Sequence, residues 1–142
     1  MTKSEIEAHI HQVYDARLKN DASVYLPKFA HNAIVQISGD IGASEIAFKT
    51  DSAADLAGVM QKLTDTWKWM SVDFKSVIVD GQSAAVRYQL RTLYVPTSTE
   101  IDTHVMDQLV FNEDGKLTEF YEFVDTAFVE RLTSQTARKG HT

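Results

Sequence analysis

Three features of the 142-residue sequence predict an α+β fold, with a curved antiparallel sheet packed against N-terminal helices around a central pocket. Helical periodicity is confined to the first half and to a short C-terminal stretch. The second half alternates apolar and polar residues in four consecutive runs separated by turn signals. These runs average about eleven residues, longer than the usual strand, and long strands in a twisted sheet curl. Helices laid over one curved face leave a concavity.

The elements follow in order. Residues 4–19 carry Ile6, Ile10, Val13 and Tyr14 at helical spacing, and Ser4 with Glu7 has the form of a capping box. Asn20-Asp21 breaks that helix, and Asp21 can cap a short second one that Pro27 bends or shortens. Ala33 to Ile37 reads as a strand ended by Ser38-Gly39-Asp40. After a loop, Asp51 or Ser52 caps a helix with the apolar stripe Leu56, Val59, Met60, Leu63 and Trp67. Four strands are then expected at Trp69–Val79, Ala84–Val95, Ile101–Phe111 and Leu117–Val124. Asp80-Gly81 and Asp114-Gly115 supply the hairpin turns, and Asp125 caps a final helix. No repeat or linker divides the chain, so residues 1–142 are expected to form one domain, with residues 133–142 as a flexible polar tail.

Composition narrows the function. Apolar residues make up 44% and charged residues 24%, as in ordinary globular domains. With no cysteine, thiolate chemistry and disulfides are excluded, which suits a reducing cytoplasm, the expected location. A formal charge of −6 and the lack of Lys/Arg clusters argue against nucleic acid as a partner. No signal-peptide pattern and no apolar run long enough to span a bilayer occur, so no membrane role is expected. His9 and His11 lie two apart on a helix and point to different faces, and no other His/carboxylate set has ligand spacing. Neither a metal nor another cofactor is expected.

Three segments carry a resemblance to a known family: the helix Ile10–Leu18 with Tyr14 and the following Tyr25-Leu-Pro-Lys-Phe-Ala-His-Asn-Ala-Ile-Val; Asp107-Gln-Leu-Val-Phe-Asn-Glu-Asp-Gly-Lys-Leu; and Glu119-Phe-Tyr-Glu-Phe-Val-Asp-Thr-Ala-Phe-Val. The chain resembles SnoaL-like proteins related to ketosteroid isomerase, within the NTF2-like superfamily, from about Ser4 to Leu132. That superfamily hosts enzymes, binders and adaptors on one fold. The resemblance places Tyr14 and Asp107 on the oxyanion-hole positions of the steroid isomerases. The isomerase general base would fall on Ile37, with Asp40 three residues on. Glu122, two residues after Phe120, falls on the carboxylate position of the limonene epoxide hydrolase branch, whose arginine and aspartate positions hold Val86 and Tyr88. The polyketide cyclases of the family use an acid near Asp107.

Strand parity adds a reading of its own. If Asp107 faces the pocket, so do Thr103, Val105 and Leu109, and by the same alignment Phe120, Glu122, Val86, Tyr88, Leu90 and Tyr94. Asp107, Glu122 and Tyr14 are the candidate catalytic residues; Tyr88, Trp67, Val105, Phe120 and Leu109 are the candidate pocket residues. Such a site suits cofactor-free acid/base chemistry, of isomerase, cyclase or hydrolase type, on a small apolar molecule, because desolvation raises carboxyl pKa values. A structural reading stands beside it, in which Asp107 and Tyr14 form a satisfied polar pair in the core. A non-catalytic ligand carrier of the same fold is the alternative function, and an interaction module whose cavity is plugged by its own side chains is a third. The outward face, with Leu93, Val95, Met106, Val110, Tyr121 and Phe123, is expected to form a two-fold homodimer.

Overall fold

The computed structural model describes residues 1–37 and 48–140, with side chains omitted at Phe48 and at 135–140. Asp40, the Ser38-Gly39-Asp40 turn and His141 lie outside the described residues. Helix α1 spans Lys3–Arg17 and α2 spans Ala22–Tyr25, continued by a 3₁₀ turn at Leu26–Lys28. Strand β1 is Phe29–Ile37, β2 the pair Phe48–Lys49, and α3 is Ala53–Thr66. Then come β3 (Trp67–Asp80), β4 (Ser83–Tyr94), β5 (Thr99–Phe111), β6 (Leu117–Phe123) and α4 (Thr126–Gly140).

Capping chemistry sets most boundaries. The capping box of α1 is Thr2 with Glu5, not Ser4 with Glu7: the Thr2 hydroxyl accepts from the Glu5 N–H at 3.2 Å, and the Glu5 carboxylate from the Thr2 N–H at 3.3 Å. The same S/T-x-x-E spacing occurs two residues earlier, and the first instance able to satisfy the orphan N–H groups starts the helix. Asp21, Ser52 and Asp125 cap α2, α3 and α4 through the N–H groups of Ser23, Asp55 and Phe128. The polar segment expected as a tail continues α4 as far as Gly140. It contains no helix breaker before that glycine, so polarity alone does not stop it.

The sheet has six strands in the order β2-β1-β6-β5-β4-β3. It is mixed and not wholly antiparallel, because β1 runs parallel to β6. Strand β2 and helix α3 intervene between β1 and β3, and the meander β3–β6 then folds back to place its last strand beside the first. The two-residue β2 went unread for lack of length. Gly81 (φ +59°) and Gly115 (φ +77°) supply the left-handed turn residues of the two expected hairpins. At Gly115 a Cβ would also collide with the His9 ring.

Curvature comes from β3. Its register against β4 shifts between Trp69 and Ser71 and again between Phe74 and Ser76, and such bulges bend a strand and increase its twist. The first shift is held by Asn20, which follows α1 in the left-handed region (φ +55°). Its amide nitrogen donates to the Trp69 carbonyl at 2.9 Å, and its side-chain oxygen accepts from the Trp69 N–H at 2.8 Å. The side chain thus acts as a short extra strand partner where the β4 ladder slips. The concave face packs on α1 through the fully buried Ile6, Ile10, Val13 and Tyr14. Among the described residues no helix is long and apolar enough to cross a membrane.

Replacing Asn20 tests this clamp. Asn20→Ala loses both bonds to Trp69, with those to Leu18 and Arg17, and places a Cβ residue without a compensating side chain at positive φ, at an expected cost of about 1–3 kcal/mol. Asn20→Gly keeps the backbone freedom and should recover only part of the loss. Full recovery in urea unfolding would show that the amide bonds contribute nothing.

Candidate functional site

The site follows from register. Asp107 on β5 and Glu122 on β6 are direct cross-strand partners on the concave face. Tyr88 reaches them from β4, and Tyr14 reaches down from the buried stripe of α1. Like charges directly opposite on a sheet repel. Here they also sit among aromatic rings, with Tyr14 5.1 Å from Tyr88 and 5.2 Å from Phe74 between ring centroids.

Hydrogen bonds tie the four groups together. Tyr14 donates to Asp107 Oδ2 at 2.5 Å and Tyr88 donates to the same oxygen at 2.7 Å. The Tyr88 hydroxyl also lies 3.2 Å from Glu122 Oε1, so one proton stands between two carboxyls. Asp107 is fully buried, and its Oδ1 accepts from no donor. An ionised carboxylate there would leave a buried charge half-solvated.

The energetics resolve this by protonation. Burial first, and the Glu122 charge second, push Asp107 well above the carboxylate range, although the two tyrosine hydroxyls pull the other way. Burial also raises Glu122, but there it is opposed by the Arg17 charge and then by the Tyr88 hydroxyl. Asp107, raised further than Glu122, is therefore the carboxyl that keeps its proton. Burial raises Tyr14 and Tyr88 well above the usual phenol range, with the Asp107 charge next, so both remain neutral donors.

A cavity of about 420 Å³ opens beside this cluster. Its wall is formed by α3, the inward residues of β3 to β5, and α4, and is mainly apolar. Glu122, Trp67 and Val105 line it, as do Trp69 and Thr103. Asp107 and Tyr14 do not reach it; they stand behind Glu122. Tyr88, Leu109 and Phe120 are likewise absent from the lining and belong to the closed core. Parity identified their face correctly, but parity carries no information on depth along the strand. The end of the sheet bearing Leu109 and Phe120 is filled by core packing, including Phe29 at 6.0 Å from the Phe120 ring.

Arg17 was missed. It is 4% exposed, lines the cavity, and stacks over Trp69 at 4.7 Å. The signal was present: Arg17 continues the stripe of Val13 and Tyr14 at i+4 and i+3, so a cation stands on the buried face. His9 and His11 pack against Phe111 and Phe74, and His104 bonds Arg87 on the outer face.

A family model for the SnoaL-like domain matches residues 10–120. No curated protein matches the sequence. Among solved structures, the chain is similar to BvnE pinacolase from Penicillium brevicompactum (TM-score 0.78, 13% identity, 97% of this chain and 98% of that one). It is also similar to an NTF2-like protein of unknown function from Burkholderia pseudomallei (0.76, 15%, 93% and 98%). A third similar structure is the epoxide hydrolase/cyclase-like enzyme SalBIII (0.71, 14%, 88% and 94%). At these identities the likeness shows the fold.

Both carboxyls have raised folded-state pKa values, which sets the sign of a pH effect. A group that holds its proton longer when folded contributes its stability fully below the unfolded values of about 3.9 and 4.3. That contribution is lost as pH rises through the folded values. Asp107→Asn should therefore cost little near neutrality and gain relative stability at high pH. Urea unfolding across pH, with side-chain carboxyl titration by carbon NMR, reads both effects. Ordinary titration of both carboxyls together with a grossly unstable Asn variant would make the pair purely structural.

Proposed function

The chain belongs to the SnoaL-like domain family, and on that premise we propose that it is a cofactor-free acid/base enzyme acting on a small, mostly apolar molecule. One observation carries the reading: a carboxyl with a raised pKa, Glu122, opens into an apolar cavity and is backed by a second, protonated carboxyl. A base of this kind works near neutral pH because desolvation brings its pKa toward the operating range. The cavity volume lies in the range of small-molecule sites.

In this reading Glu122 is the catalytic residue. As a carboxylate it accepts a proton from an acidic C–H or from an attacking water; as the acid it returns that proton to the substrate. Asp107 is a positioning residue that acts on Glu122 from the facing strand and through the Tyr88 hydroxyl the two carboxyls share. Tyr14 and Tyr88 hold Asp107, and their hydroxyls are directed at the carboxyls and not at the cavity. The oxyanion-hole role suggested by the steroid isomerase pattern is not part of the proposal, because Tyr14 and Asp107 do not line the cavity. The similar folds bearing the names pinacolase and epoxide hydrolase/cyclase-like enzyme support isomerase, cyclase or hydrolase chemistry as the class.

A ligand carrier is the second reading, favoured by the fact that, among the described residues, Glu122 is the only Asp or Glu lining the cavity. Deuterium exchange separates the two. A panel of enolisable ketones is incubated with the protein in heavy water and read by mass spectrometry. The enzyme reading expects catalysed exchange that falls about a hundredfold or more in Glu122→Gln. Asp107→Asn should give a smaller fall with a displaced pH profile. Ligand binding with no exchange by the wild type across the panel favours the carrier.

Assembly through the outer sheet face is proposed alongside. Met106 is 41% and Phe123 49% exposed there, beside the half-buried Leu93, Val110 and Tyr121. Arg91 pairs with Glu100 at 2.7 Å at the same face, so polar groups interrupt the apolar area. Such a mixture suits an isologous interface. Light scattering is expected to give a dimer at micromolar concentration, and a monomer there would overturn the proposal.

A further inference from the structure

Arg17 is the charged group of the cavity that the acid/base reading leaves unused. It closes α1 with its side chain turned inward, 4% exposed, and a buried guanidinium is costly unless its charge is answered. Among the described residues no carboxylate lies within the 4.0 Å of an ion pair with it. Its hydrogen bonds run to neutral oxygens: Asn20 Oδ1 at 3.2 Å, the Leu63 carbonyl at 3.3 Å and the Trp67 carbonyl at 2.8 Å.

Those partners explain how the group is held. Leu63 and Trp67 lie at the C-terminal end of α3, where the helix dipole favours a cation, and the Trp69 ring backs the guanidinium plane at 4.7 Å. They do not use the group up. A guanidinium has five N–H donors, and three bonds are made. A fixed, aromatic-backed guanidinium with spare donors on the wall of an apolar cavity is the geometry of carboxylate recognition.

Charge around the cavity agrees. The chain carries −6 overall, yet among the described residues the charged ones lining the cavity are Arg17, Lys62 and Glu122. Lys62 is exposed, on α3. Among the described residues two cations thus stand against one carboxyl on this wall, a balance that favours an anion in an acidic protein.

We propose that Arg17 anchors a carboxylate on the ligand, so that the natural substrate is a small apolar acid whose body fills the cavity between α3 and the sheet. The assignment rests on the small-molecule reading above and names its substrate class. Held by Arg17, the acid presents its carbon skeleton to Glu122, and Arg17 offsets the repulsion between the ligand's charge and that carboxylate.

The test uses a matched pair, naphthylacetate and its neutral amide naphthylacetamide, titrated calorimetrically into the full chain at low ionic strength. The acid should bind at least about tenfold tighter than the amide in the wild type. The preference should vanish in Arg17→Met and in Arg17→Gln, the latter keeping an N–H donor for the Trp67 carbonyl without the charge. It should persist or grow in Glu122→Gln, which removes the competing negative charge while abolishing exchange activity. Equal or reversed affinities in the wild type overturn the assignment whatever the variants do, as does a preference that survives in either folded Arg17 variant. If neither probe binds, the small-molecule reading of the cavity fails and the anchor fails with it. Loss of exchange in Glu122→Gln with no acid preference in the wild type leaves the enzyme reading standing and removes only the anchor.

Discussion

The antiparallel register of β5 on β6 sets Asp107 directly opposite Glu122, and much of the molecule is arranged around that coincidence. Two carboxyls on neighbouring strands, facing a dry interior, cannot both ionise at ordinary pH. The fold answers with a proton and with two tyrosine hydroxyls. Tyr14 is brought by the helix that covers the sheet, and Tyr88 by the next strand. Each hydroxyl would need a partner if buried alone, and each carboxylate oxygen would need a donor; together they satisfy all but one oxygen. The cluster therefore links α1 to three strands of the meander at the point where the cavity begins.

The two carboxyls differ by position. Asp107 is sealed, and its environment keeps it neutral. Glu122 is half-buried, opens to the cavity, and feels the Arg17 cation, which opposes the effect of burial. One strand separates a sealed carboxyl from one that lines the cavity. Elsewhere in the sheet the bulges bend β3, and Asn20 holds the first of them. Arg17 and Asn20 are three residues apart and bond each other, so the chain leaving α1 fixes both the bend of the sheet and the cation of the cavity.

Regular periodicity made most elements readable. The stripe of Ile6, Ile10, Val13 and Tyr14 defined the buried side of α1, and strict alternation along β4 and β5 assigned nearly every side chain to its observed face. Asp-Gly pairs marked both hairpins. Errors fell where the deciding interaction was not periodic. The start of α1 depended on which of two overlapping capping patterns formed. The parallel pairing of β1 with β6 depends on two segments more than eighty residues apart. The length of α4 was underestimated because polarity was taken for an end signal.

By itself the sequence determined the fold class, the element order, the faces of the strands and the identity of both carboxyls, because each is written in local patterns of period 2 or 3.6. Family likeness pointed to Tyr14, Asp107 and Glu122, and parity placed both carboxyls and Tyr88 on one face. Depth was decided only in three dimensions. Leu109 and Phe120 share the face of Val105, yet core packing fills their end of the sheet and leaves the other end open. Likewise helical spacing puts Arg17 on the stripe of Val13 and Tyr14, but only the tertiary structure shows the group enclosed and held. Its burial follows from the C-terminal carbonyls of α3 and the ring of Trp69, which lie about fifty positions further along the chain. Contacts at that separation are set by how elements pack, and packing has no period to read.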